Sequence, residues 1–212
     1  RGLGDVYKRQ PNSDEGIAFV EIDPEKKEIT GYNPVHRIYQ GYGKEAGFSG
    51  HFVIQLNEEI ADYGVWDSTT ITSGRKSAKG QKHAVGAWIK LASDKPGKTL
   101  VKVATSFTSI DNARKNLASE IPEWDFNEVR QASSDTWNQA LGQIAVKGNN
   151  EKEMVKFYSA LYNAHFLPRT FSDVDGSYPR FDGDGQIMKM DHGTYYCDFS
   201  QWDTYRLSLI HI

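Results

Sequence analysis

The hydrophobic period of the chain changes once, near Asp111, and that change limits the folds open to it. Before it, residues 17–22, 52–56, 87–91 and 100–110 form short runs rich in Val, Ile, Phe and Thr. Turn formers such as Asn33-Pro34, Ser73-Gly74 and Lys95-Pro96-Gly97 separate them, which is the pattern of strands. In the last run Val101, Val103, Thr105 and Phe107 alternate with Lys102, Ala104 and Ser106, the period of a strand covered on one face. Short strands at this spacing, with no amphipathic helices between them, predict an antiparallel sandwich rather than an α/β sheet.

After Asp111 the period is helical. Ala113 and Leu117 share one face of a short helix that Pro122 ends at or before Ile121. Asp125 with Glu128 three residues on forms a capping-box signature for a second helix, whose stripe is Val129, Ser133, Thr136 or Trp137, and Ala140 or Leu141. Gly148-Asn149-Asn150 interrupts it. A third helix follows, with Met154, Phe157 or Tyr158, Leu161 and His165 expected inward and Pro168 as the stop. On that apolar stripe His165 reads as a packed, hydrogen-bonded core residue. Residues 169–197 read as a long aromatic, Gly-rich loop, a kind of connection that is functional more often than average. DFSQWDTYR, residues 198–206, opens a further helix.

Composition excludes several function classes. The 25 Lys and Arg lie among 28 Asp and Glu, so the concentrated positive field of a nucleic-acid surface is absent. No apolar run is long enough for a membrane-spanning helix. The single Cys197 permits no internal disulfide and no cysteine zinc cluster, and the six histidines form no H-x-x-x-H pair. The stretch from Gly41 to Gly50 is Gly-rich but lacks a phosphate-loop ending; it reads as a loop whose Lys44-Glu45 tip lines a cleft or faces water. Asp173, Asp175, Asp182 and Asp184 sit in DVDGSY and DGDGQI, neither of which fits a twelve-residue calcium loop, so a solvated loop with Asx turns is the stronger reading.

The richest chemical clue is Trp202 beside Asp203. An indole covers the C–H face of a sugar while a carboxylate accepts from its hydroxyls. The same pair also serves as a core Trp with a helix-capping Asp, and spacing alone leaves both readings open. Glycoside hydrolysis needs a pair of carboxylates, and 28 acidic residues offer no sequence criterion for choosing one.

Four ordered segments carry a family resemblance: NPVHRIYQGYGKEAGFSGHF (33–52), SIDNARKNLASEIPEWDFNEVR (109–130), FYSALYNAHFLPRTFSDVDGSY (157–178) and DFSQWDTYR (198–206). With them the chain resembles glycoside hydrolase family 92, the calcium-dependent exo-acting α-mannosidases. The resemblance implies an N-terminal β-sandwich, an α-helical linker and an (α/α)6 barrel, here divided as 1–110, 111–150 and 151–212, with the barrel only begun. It implies removal of terminal α-linked mannose with inversion, a mannose-containing glycan or mannoside as partner, calcium as cofactor, and a periplasmic or extracellular setting. Matching WDT onto Trp202-Asp203-Thr204 makes Asp203 a ligand of mannose hydroxyls and Trp202 a wall of the pocket. The family's general acid, general base and most calcium ligands fall beyond the position matching Arg206. Neither catalytic group is therefore expected within these 212 residues, no metal ligand is assigned, and the chain reads as an inactive fragment with foreign ends, RGLGDVYKRQ and LSLIHI. A non-catalytic carbohydrate-binding sandwich module is the alternative.

Overall fold

The computed structural model describes residues 17–34, 47–68, 70–81, 84–92, 98–148, 150–166, 168–180 and 185–197. Eight strands come first: β1 (Ile17–Asp23), β2 (Glu28–Pro34), β3 (Ser49–Leu56), β4 (Ile60–Asp67), β5 (Thr70–Ser73), β6 (Ser77–Gln81), β7 (Val85–Leu91) and β8 (Val101–Ser106). Three helices follow, α1 (Ile110–Glu120), α2 (Phe126–Leu141) and α3 (Glu151–Ala164). The remaining strands are short: β9 (Arg169–Thr170), β10 (Ser177–Pro179), β11 (Ile187–Lys189) and β12 (Tyr196–Cys197). The expected order of strands then helices is therefore present. The stretch expected as one loop over 169–197 instead pairs with itself, β9 with β12 and β10 with β11.

Two antiparallel sheets build the sandwich, one ordered β6-β1-β2-β3-β8 and the other β5-β4-β7. Val20, Ile22 and Ala78 of the larger sheet meet Val65 of the smaller, with Ile29, Phe52, Tyr63, Ala87 and Ile89 closing around them. Each buried Val or Ile here contributes about 1.5 to 3 kcal/mol, so this cluster holds the two layers together. On its opposite face the larger sheet receives α1, where Val53, Ala113 and Leu117 form a second buried cluster. Ala113 and Leu117 are the two positions that the helical period picks out.

The alternation in β8 is real, but the covered face is the polar one. Val101 and Val103 are 53% and 52% exposed, whereas Lys102 and Ser106 are buried. The reason is the C-terminus of α1. The Lys102 ammonium donates to the carbonyls of Ile121 (2.9 Å) and Pro122 (2.8 Å) and lies 4.3 Å from the Trp124 ring centroid. A cation at the negative end of a helix, stacked on an indole, is stable where an unpaired lysine would not be. Buried Glu28 of β2 is held likewise, by the Arg114 guanidinium at 2.6 and 3.0 Å and by Gln55 at 3.2 Å.

The helix starts follow their capping residues. Ser109 accepts from the Asn112 amide at 3.0 Å, and Asp125 accepts from the amides of Asn127 (2.9 Å) and Glu128 (3.0 Å). Among the described residues only the Asp125 half of the capping box forms. The chain divides into two compact units, Arg1–Trp124 with Ser172–Gly193, and Asp125–Phe171 with Thr194–Ile212. In the second unit, neither α2 nor α3 has a fully buried residue. Trp137 packs on Tyr162, 4.4 Å between ring centroids, and the stripe of Met154, Phe157, Tyr158 and Leu161 is half-buried. His165 is not a core residue. It is exposed at the end of α3, its Nδ1 2.8 Å from the Leu161 carbonyl oxygen, because its contact with Trp137 of α2 is only edge-on, 6.3 Å between ring centroids, and leaves the imidazole open.

Hydrogen exchange on the 212-residue chain should separate these parts, since protection follows buried, cooperative structure. Amides of β1, β2, β3 and α1 are expected to exchange slowly and those of α2 and α3 fast. Equal protection of α3 and β3 would contradict this.

Candidate functional site

Trp202 and Asp203, the two residues expected at a sugar site, lie outside the described residues, as do Lys44, Glu45, Asp182 and Asp184. The described part of the candidate region is the stretch that leads toward them, and Asp173 is its centre. This carboxylate is buried at 7% exposure and is not solvated, contrary to the expectation for DVDGSY. One oxygen accepts from Ser106 Oγ (2.8 Å), Thr108 Oγ1 (2.5 Å) and Asn112 Nδ2 (3.2 Å), and the other from Asn116 Nδ2 (2.7 Å). The donors come from the end of β8, from the turn after it and from the first two turns of α1. Asn112 and Asn116 are one helical turn apart, so both amides reach the same carboxylate. Asn116 also accepts from the Val174 amide at 3.0 Å, fixing the backbone next to Asp173.

Asp175 makes the expected Asx turn, accepting from the Ser177 amide at 3.0 Å. Its other oxygen pairs with Lys115 Nζ at 3.0 Å. Burial pushes the Asp175 carboxyl up, but the hydrogen bonds from Ser177 and the Lys115 ammonium outweigh it and bring the pKa down to about 2. Gly176 between them sits at φ 83°, where a side chain would be strained. Gly185 also has positive φ, and its α-carbon faces the Gly47 carbonyl so closely that a Cβ would overlap it. The Gly-rich segment before β3 and the stretch after β10 therefore meet through backbone.

His51 was not singled out by the sequence. It stands on β3 opposite Ser106 in register, lies against the Tyr32 ring at 5.6 Å between centroids, and its Nδ1 is buried without a partner among the described residues. Burial pushes the imidazole pKa down, with the Asp173 carboxylate partly opposing. Its strand register with Ser106 brings it near Asp173, and register is invisible before the sheet is known.

These residues do not form a calcium site. The Asp173 oxygens are taken by neutral donors, and the Lys115 ammonium occupies the place beside Asp175 that a cation would need. Among the described residues no group of three His, Cys, Asp or Glu could hold a metal ion. An open groove of about 860 Å³ runs along α3, lined by Met154, Val155, Tyr158 and Tyr162 among others. Among the described residues that line it, Glu151 is the one acid, so they supply no acidic pair of the kind that glycoside hydrolysis needs.

Residues 3–106 match the glycosyl hydrolase family 92 N-terminal domain, and residues 112–211 match the glycosyl hydrolase family 92 catalytic domain. The chain belongs to glycosyl hydrolase family 92. Its fold resembles that of a family GH92 inverting mannosidase from Bacteroides thetaiotaomicron, with a TM-score of 0.77 at 24% identity over 90% of this chain and 25% of that one. A family GH92 alpha-mannosidase from the same organism, solved also in complex with mannoimidazole, gives a TM-score of 0.73 at 26% identity, again over 90% and about a quarter of the two chains. An uncharacterized secreted glycosidase of Arthroderma benhamiae is 32% identical over 85 residues, 38% of this chain and 11% of that protein. The chain thus spans a quarter or less of the length of these relatives.

Replacing Asp173 with Ala leaves four donors facing a void and should lower stability by at least about 3 kcal/mol, read as urea unfolding of the sandwich. The Asp175 contribution has a defined pH window. Its folded pKa is lowered, so the stabilisation is present above the ordinary value of 3.8 and is lost as pH falls toward about 2. The thermal midpoint should drop over that interval by the equivalent of about 2 kcal/mol more in the native chain than in Asp175→Asn. Parallel curves for the two proteins would remove Asp175 from this role.

Proposed function

We propose that the full-length protein containing this chain is an exo-acting α-mannosidase that removes terminal α-linked mannose with inversion. The observation that carries this reading is family membership across both domains, together with the 26% identical relative described as an alpha-mannosidase and solved in complex with mannoimidazole. Residues 1–110 belong to the sandwich domain, 111–150 to the helical linker, and 151–212 to the beginning of an (α/α)6 catalytic barrel. The general acid and base come from chain beyond residue 212, as do most of the calcium ligands; calcium, when bound, supplies charge that orients and polarises the sugar hydroxyls. The enzyme works outside the cytoplasm, in line with the secreted description of the fungal relative.

Within this chain the proposed substrate contacts are Trp202 and Asp203. The indole lies against the apolar face of the terminal mannose, and the ionised carboxylate accepts from adjacent hydroxyls. Asp173 does not touch substrate. Its four hydrogen bonds fix the start of the stretch that leads to Trp202.

In the full-length enzyme Asp203→Asn should keep the thermal midpoint and lose mannose release. Loss of one charge-assisted bond, about 1.5 to 3 kcal/mol, corresponds to a roughly ten- to hundredfold fall in kcat/KM. Unchanged kcat/KM at matched folded concentration would remove Asp203 from the site. Turnover of another glycoside with none of an α-mannoside would overturn the substrate class.

A further inference from the structure

The smaller sheet has two faces of different character. Strand register puts Tyr63, Val65, Ala87 and Ile89 on the side that meets the larger sheet. Period-2 geometry then turns Trp66, Trp88, Asp62 and Lys90 outward, with Ile71 and Ser73 beside them on β5. Tryptophans on the outward face do not serve the sandwich core.

Their setting is specific. Trp88 stands across from Gly64, and Trp66 stands across from Gly86. A Cβ on Gly64 would come within 2.6 Å of Trp88 Nε1, and one on Gly86 would overlap the Trp66 ring. Each indole therefore leans onto the glycine of the neighbouring strand, which supports one side of it while the residue stays partly exposed. Trp88 Nε1 is buried there with no acceptor among the described residues, so a hydrogen bond does not hold the ring in place. The two indoles are diagonal neighbours on one face, a spacing of about 7 to 8 Å. Ile71, 70% exposed, extends the apolar surface next to Trp66. In the row beyond Trp88, Asp62 and Lys90 are paired in register, and both are exposed.

Two supported indoles with an adjacent carboxylate and ammonium match one ligand chemistry best. Pyranose rings offer apolar C–H faces to the indoles and hydroxyls that both donate to Asp62 and accept from Lys90. An apolar peptide would desolvate both charges without pairing them, and a charged polymer would meet one opposite and one like charge. We propose that the outward face of the β5-β4-β7 sheet, built on Trp66 and Trp88, is a non-catalytic binding surface for neutral glycan chains. The surface requires no turnover, so it stands or falls separately from mannose release by a full-length enzyme.

The test uses the 212-residue chain in native gels containing soluble α-mannan, soluble β-glucan or no polysaccharide. Retardation by at least one polysaccharide is expected, weakened about tenfold in Trp66→Ala and in Trp88→Ala. Retardation by neither, or undiminished retardation in both variants, overturns the proposal. A second measurement does not depend on the variants folding. Wild-type chain is oxidised with N-bromosuccinimide, with and without the retarding polysaccharide, and mapped by mass spectrometry. Slower oxidation of Trp66 and Trp88 with Trp124 unchanged supports the surface. Equal rates at all three overturn it, as does self-association that protects Trp66 and Trp88 without polysaccharide and is unaffected by adding it.

Discussion

The larger sheet turns Glu28, Lys102 and Ser106 toward α1, and each of these groups would cost several kcal/mol if it were buried unpaired. Helix α1 and its flanks resolve all three. Arg114 meets Glu28, the carbonyls after Glu120 accept from Lys102, and Ser106 donates to Asp173, which the α1 asparagines also hold. The apolar contribution at this interface is small, centred on Val53, Ala113 and Leu117, so position is set by polar partners as much as by packing. A shift of α1 by one turn would break an ion pair, a helix cap and a carboxylate cage together.

That dependence gives Asp173 its place. It stands more than fifty residues after α1 in sequence, yet belongs to the same compact unit as the sandwich. The segment from Ser172 to Gly193 is thus fixed by a buried charge, by the Asx turn at Asp175 and by the close backbone approach of Gly185 to Gly47. Membership in glycosyl hydrolase family 92 gives the arrangement a functional context, because the anchored stretch lies within the part of the chain that matches the family's catalytic domain. A buried carboxylate held by four donors from β8, the turn after it and α1 is a good anchor, which is why Asp173 is a positioning residue.

Helices α2 and α3 show the opposite economy. Their apolar stripes are those that the helical period marks, but Met154, Phe157, Tyr158 and Leu161 are only half-buried and Val155 is exposed. Caps and intrahelical hydrogen bonds define such helices locally, while most of the stability of a surface helix comes from the layer its stripe packs against.

Local physics was legible in the sequence: the change of period near Asp111, the Asp125 cap, the pairing of Ala113 with Leu117, and the Asx turn at Asp175 all depend on residues a few positions apart. The resemblance in four ordered segments likewise needed only the sequence, and it identified the family. What depended on distant partners was not legible. Alternation in β8 showed two faces but could not say that Lys102 and Ser106 occupy the buried one, since the carbonyls and carboxylate that make this tolerable lie up to 67 residues away. His165 looked like a core residue because its helix is amphipathic, and only the packing showed that an edge contact with Trp137 leaves it exposed. Asp173 looked solvated for the same reason. A carboxylate's burial is decided by whether tertiary structure brings donors to it, and that information is not local to the chain.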